Sequence, residues 1–119
     1  CVSSVASYMP LPFHGGYSSS KIAIRRIFDS WRPSLQKHNI NLVSICPGFI
    51  DTPMVKGPAR NFPLKKANEA AKNFINAIEN RKHNFVYPRY YYLLIWLFTL
   101  TPLWFYNWLI KKMFSKPFN

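Results

Sequence analysis

At 119 residues the chain has room for at most one domain, and with 49% apolar and 18% aromatic residues it is not a disordered tail. Sixteen basic residues against four acidic ones give a formal charge of +12. That balance points to an anionic partner: a nucleic acid, an acidic membrane surface or a phosphate-bearing cofactor.

The chain enters on Cys1 in a segment, residues 1–5, that reads as the end of a strand. Residues 6–16 form a loop broken by Pro10, Pro12, Gly15 and Gly16. A helix is predicted over residues 17–37, with Ile24, Ile27, Phe28, Trp31 and Leu35 making one apolar stripe. Pro33 weakens its last turns, and Arg25-Arg26 reads as an exposed face. Residues 40–46 alternate and are β-branched, so they read as a strand ended by Pro47-Gly48. A loop over 49–63 leads to a second helix over 64–81, with Ala67, Ala70, Ala71, Phe74, Ile75 and Ile78 on one face. Residues 84–87 form a short strand stopped by Pro88. Cys1 and Cys46 are too few for a disulfide framework, and both read as buried, reduced thiols.

Strand, helix, strand, helix, strand argues for an α/β sheet of parallel strands with crossover helices. Such a sheet wants both faces covered, and two helices over three strands do this poorly. The expectation is therefore a truncated chain: residues 1–89 form the C-terminal half of a larger domain, and residues 90–119 form a hydrophobic helical extension.

Ser4, Tyr17 and Lys21 carry the most chemistry. A free tyrosine has a pKa of about 10, too high for an efficient base near neutrality. Tyr17 and Lys21 are four residues apart on the predicted helix, so they share a face, and an ammonium beside a phenol favours the phenolate. Such a phenol can pass a proton to a carbonyl oxygen or take one from an alcohol. Ser4 lies at a strand end, where α/β sheets expose functional side chains, and its hydroxyl can orient the same oxygen. A lone Tyr-x3-Lys pair is, by itself, also what a solvated helix face offers.

Three segments widen the pattern: Val2-Ser3-Ser4-Val5-Ala6-Ser7, Gly16-Tyr17-Ser18-Ser19-Ser20-Lys21 and Cys46-Pro47-Gly48-Phe49-Ile50-Asp51-Thr52-Pro53-Met54. Together they resemble the second half of the short-chain dehydrogenase/reductase family, in motif order over residues 1–88. The resemblance implies the C-terminal part of a Rossmann-type, doubly wound parallel sheet and NAD(P)-dependent hydride transfer between nicotinamide and a carbonyl or alcohol. It implies Tyr17 as general acid/base, Lys21 on the nicotinamide ribose and beside the tyrosine, and Ser4 on the substrate carbonyl. Pro47, Gly48, Ile50 and Thr52 then line the nicotinamide side of the cofactor, NAD or NADP, and no metal is implied. The family also packs its Tyr-x3-Lys helix against a second subunit. The Ile24–Leu35 stripe suits such a homo-oligomer and suits core packing almost as well.

The Gly-rich dinucleotide fingerprint, the residue that selects NAD or NADP, the Asn-Ala-Gly segment and the catalytic asparagine are not among these 119 residues. The isolated chain is expected neither to bind cofactor nor to turn over. The alternative is a non-catalytic membrane-associated or scaffold protein that retains the fold.

Residues 90–110 are 21 residues without a charge, with Arg89 before them and Lys111, Lys112 and Lys116 after. Three readings stand. A monotopic anchor or membrane-resting hairpin suits aromatics beside lysines. A lid over the substrate site, or a subunit contact, suits the family. A transmembrane helix suits the length but not Pro102, Thr99, Thr101 and Asn107 within it. The first two are compatible, and together they imply a lipophilic substrate and a cytoplasmic protein peripheral to or anchored in a membrane. Nucleic acid is excluded as the anionic partner, because the aromatics gather in the tail instead of alternating with the basic residues.

Overall fold

The computed structural model describes residues 1–9, 11, 12 and 14–113, without the side chains of 58, 59 and 113; Pro10 and Lys116 lie outside the described residues. Helix α1 (Gly15–Gln36) leads to strand β1 (Ser44–Pro47) and the short strand β2 (Ile50–Asp51). A 3-10 turn at Gly57–Asn61 precedes strand β3 (Lys65–Lys66), helix α2 (Ala67–Glu79) and strand β4 (Asn84–Tyr87). Helices α3 (Tyr90–Leu100) and α4 (Leu103–Met113) follow.

The main sheet is parallel. β4 pairs with β1 with Ser44 opposite Asn84 and Pro47 opposite Tyr87. On the other side of β1, Val2 bridges Ile45 in the same sense, fixed by Ser3 N–H to the Ile45 carbonyl at 2.7 Å and Ile45 N–H to the Cys1 carbonyl at 2.9 Å. A second pair, β2 with β3, is also parallel.

Side chains alternate across a strand, and this alternation shows where the helices lie. Asn84 donates to Asp29 of α1 at 3.3 Å, whereas Tyr87 donates to Glu69 of α2 at 2.6 Å and meets the Phe74 ring edge-on, 6.0 Å between centroids. Thus α1 and α2 cover opposite faces of strands that stand in sequential order. The two crossovers are then of opposite hand, and one of them departs from the usual right-handed connection. The core is small: Val5, Cys46, Val86 and Tyr91, with Tyr8, Met9, Phe49 and Ile95 against them.

Several expectations need correcting. The 1–5 segment pairs only at Val2 and turns at once into a 3-10 turn at Val5–Ser7. Helix α1 starts at Gly15, so both glycines taken as breakers lie in its first turn, where the backbone N–H groups need no helical partner. It also continues through Pro33, which is exposed and costs the helix one backbone hydrogen bond. The strand expected from residue 40 begins at Ser44, and α2 begins at Ala67 because Lys65–Lys66 pair with β2 instead. The 49–63 segment is not all loop, since it contains β2 and a 3-10 turn. Cys46 is buried but Cys1 only half-buried, and both are free.

The helix faces differ as well. On α1 the buried residues are Ser18 and Arg25, while Ile27 and Trp31 are exposed. On α2, Ala70 and Ala77 are buried, with Ile75 and Ile78 exposed.

Candidate active site

Ser4, Tyr17, Lys21, Pro47, Gly48, Ile50 and Thr52 line one open cleft of about 230 Å³ at the C-terminal ends of the strands. Each is held there by a local device. Ser4 has extended backbone and caps the 3-10 turn: its Oγ accepts the Ala6 N–H at 3.1 Å and stands 3.5 Å from the Pro47 carbonyl. The hydroxyl is thus fixed by the turn that ends the strand segment, between the two neighbouring strand ends.

Tyr17 is the third residue of α1, and Lys21 lies one turn on. The Lys21 ammonium is 5.7 Å from the centre of the Tyr17 ring and donates to the Val2 carbonyl at 3.3 Å. An ammonium has three donors, so two remain for a ligand. The Lys21 carbonyl accepts the Ser3 hydroxyl at 2.9 Å, which ties this turn of helix to the strand segment. Tyr17 is 43% exposed, so its ring is open to a ligand.

The third side begins where β1 ends. Gly48 N–H donates to the Tyr87 carbonyl at 2.7 Å. A Cβ here would clash with the ring edge of Tyr91 at the start of α3, so glycine lets α3 close on the strand. Lys65 pairs with Ile50, and its N–H bonds the Phe49 carbonyl at 3.3 Å. In that parallel pattern the N–H and carbonyl of Ile50 itself point away from β3, leaving one donor and one acceptor side by side. Thr52 is half-buried, in a turn closed by Val55 N–H to its carbonyl at 3.0 Å.

Behind the cleft a polar cluster joins α1 to the sheet. Arg25, expected on an exposed face, is buried: Nε donates to Ser7 Oγ at 3.0 Å and Nη2 to the Ser7 carbonyl at 2.9 Å. Its guanidinium lies 4.0 Å from the centre of the Tyr8 ring. Asp29 accepts from Arg32 at 2.9 Å, Asn84 at 3.3 Å and Arg25 at 3.4 Å. Burial pushes the Asp29 carboxyl up, but the Arg32 and Asn84 hydrogen bonds and the two arginine charges outweigh it, and the net shift is down. Burial raises the Cys46 thiol and pushes the Tyr8 phenol up to about 12, so neither is set up to ionise near neutrality.

The structure adds Val2, Ser3, Met54 and Val55 to the lining. Met54 closes the 46–54 segment, two residues after Thr52, and the sequence assigns it no role there. Tyr91 carries no such signal, being one tyrosine in a run of three.

The model of the short chain dehydrogenase family matches residues 1–61. The chain belongs to that family. Among its relatives, dehydrogenase/reductase SDR family member 7B of Xenopus tropicalis is 29% identical over 93% of this chain and 40% of its own length. Short-chain dehydrogenase/reductase family 16C member 6 of Bos taurus is 30% identical over 82% of this chain and 33% of its own length. A short chain dehydrogenase from Burkholderia cenocepacia, solved in complex with NADP, superposes with a TM-score of 0.65 at 28% identity, covering 76% of this chain and 38% of that one. A protein from Novosphingobium aromaticivorans superposes over 98% of this chain and 36% of its own, with a TM-score of 0.64 at 17% identity, a likeness of fold. The chain spans at most about 40% of the length of these curated relatives. Its parallel strands and crossover helices are thus part of the family's Rossmann-type sheet.

Proposed function

We propose that this chain carries the proton-handling side of an NAD(P)-dependent oxidoreductase that interconverts a carbonyl and an alcohol. The observation that carries the reading is the meeting, on one cleft, of the Tyr17 phenol, the Lys21 ammonium, the Ser4 hydroxyl and the 47–52 backbone. The residues fit a nicotinamide nucleotide. Two donors remaining on Lys21 suit the paired hydroxyls of a ribose, and the N–H and carbonyl of Ile50 suit a carboxamide, which needs one of each. When bound, such a dinucleotide supplies or receives the hydride.

The protein's own part is orientation and proton transfer. Ser4 donates a hydrogen bond to the substrate oxygen. Tyr17 gives that oxygen its proton in reduction and takes it back in oxidation. Lys21 orients the ribose and places positive charge beside the phenol, which favours the phenolate when the proton leaves. Thr52 and the Pro47-Gly48 backbone form the wall against the nicotinamide. NAD and NADP are both compatible with the residues present, and the NADP complex of the Burkholderia relative supports the second.

The partners in this reading are a small carbonyl or alcohol of apolar character, a second copy meeting α1 at its exposed Ile27 and Trp31, and a membrane surface meeting residues 90–113. A cytoplasmic site at that surface follows from the same reading. The 119 residues alone, without a Gly-rich phosphate loop among them, are proposed to be inactive; saturable NADPH binding by this chain alone would end that claim. The decisive experiment on the intact protein is Tyr17→Phe. Loss of turnover with dinucleotide binding retained supports the enzyme. Unchanged turnover removes Tyr17 from the chemistry, and unchanged cellular function without turnover supports the scaffold reading.

A further inference from the structure

Residues 90–113 fold as two 11-residue helices, α3 and α4, that turn through 116° at Thr101-Pro102. Among the described residues no single helix is long and apolar enough to cross a membrane. Each helix is about 16 Å long, so the bend makes a V about 14 Å deep. That is close to half of a hydrocarbon core about 30 Å thick. The shape is therefore wrong for a span and right for one leaflet.

Chemistry follows the shape. The tip is its most exposed apolar part, with Leu103 and Trp104 each 71% exposed and Leu100 63%. Inside the V, Phe98 packs edge-on against Tyr106 at 5.0 Å between centroids. The polar groups near the tip are satisfied internally: Thr99 and Thr101 donate their hydroxyls to the carbonyls of Ile95 and Leu97, each at 2.8 Å. Pro102 has no N–H to satisfy, and its carbonyl accepts from Phe105 and Tyr106. Backbone and hydroxyl groups without partners are costly in a lipid interior. Both open ends of the V are basic, with Arg89 at one and Lys111 and Lys112 at the other, and no acidic residue lies between. Lys112 sits over the Trp108 ring at 5.2 Å, at the level where tryptophan and lysine meet headgroups.

We infer that α3 and α4 form a wedge that enters one leaflet of an anionic lipid bilayer, with Leu100, Leu103 and Trp104 among the acyl chains and Arg89, Lys111 and Lys112 on the headgroups. This gives a geometry to the membrane partner of the proposed function, yet it does not depend on catalysis, because its test reads lipid binding alone. The intact protein is floated with vesicles of phosphatidylcholine, with and without phosphatidylserine, as wild type, Leu103→Glu, and Lys111→Glu with Lys112→Glu. Thermal melts check that each variant is folded, and the substituted side chains are exposed.

Wild type is expected to float with the phosphatidylserine vesicles. Leu103→Glu lowers the bound fraction at least about tenfold, and the lysine pair does so by a similar factor that added salt removes. Brominated lipids quench Trp104 from deeper positions than Trp108 in single-tryptophan variants. Equal flotation of wild type and Leu103→Glu, or no flotation, overturns the inference. A dimer in solution that Leu103→Glu dissociates, without flotation, assigns the surface to a second copy and also overturns it.

Discussion

Around the cleft, Ser3, Ser4, Ser7 and Arg25 are buried and each has a hydrogen-bond partner. In residues 90–113 the opposite holds, with Trp96, Leu100, Leu103 and Trp104 in the open. The first region is organised by directional bonds between strand ends and α1. The second exposes mostly apolar surface, basic at its ends, and is anchored at its root. Tyr91 fills the notch at Gly48, and the Tyr92 hydroxyl bridges the outer edge of β4, accepting from Val86 N–H at 3.0 Å and donating to the Asn84 carbonyl at 3.2 Å. The difference teaches that hydrophobicity alone does not set burial in this chain. Around the cleft polar groups lie inside because they are paired, and in residues 90–113 apolar groups lie outside where a further surface can take them.

The sharpest way to break this contrast is at the cleft. In the intact protein Tyr17→Phe should reduce turnover by about 10²–10⁴-fold, with dinucleotide affinity and melting temperature unchanged; turnover near the wild-type rate would make the cleft as inert as the outer face of α1. Next comes the joint between the regions. Gly48→Ala should destabilise by about 1–3 kcal/mol through overpacking against Tyr91. Chemical denaturation reads the loss, and the cost should shrink in a Tyr91→Ala background, so an equal cost there would show that the two do not meet.

A smaller effect is expected in the polar cluster. The Asp29 carboxyl is held below its ordinary value of 3.8, so it contributes stability above that pH and loses the contribution as pH falls through its lower folded value. Asp29→Asn should therefore cost about 1 kcal/mol at neutral pH and flatten the loss of stability on acidification below about pH 4. Urea midpoints across that range check it, and parallel curves for the two proteins would refute it. The smallest effect belongs to Tyr92→Phe, about 0.5 kcal/mol. Its signature is faster hydrogen exchange at Val86 N–H; unchanged exchange would mean that the hydroxyl does not guard the edge.

The cleft was legible in the sequence because each of its parts is tied to a spacing. Tyr17 and Lys21 share a helix face by periodicity, and Pro47-Gly48 ends a strand by its own backbone limits. What those spacings leave open is the role of each residue. The helix faces were less legible. The stripe containing Ile27 and Trp31 follows helical period faithfully, yet α1 turns Ser18 and Arg25 to the sheet, where Ser7 awaits the guanidinium. A count of apolar residues cannot see a polar face with waiting partners. Likewise residues 40–43 have strand propensity, but β1 begins only at Ser44. The break at Pro102 was readable; the 116° turn was not, because proline fixes where a helix stops and leaves its new direction to packing.

The placement of α1 and α2 on opposite faces also explains why a cleft exists at all. The segment at Val2 and its neighbour β1 run side by side, but the chain leaves one upward and the other downward. Two connections that part company at adjacent strand ends cannot both fill the space above them, so a crevice opens between Ser4 and Pro47, as at the switch points of open α/β sheets. The site needs no carving out by special residues. It is the gap left where the winding of the chain changes sides, and Tyr17, Lys21 and the 47–52 backbone are what the two departing paths leave on its rim.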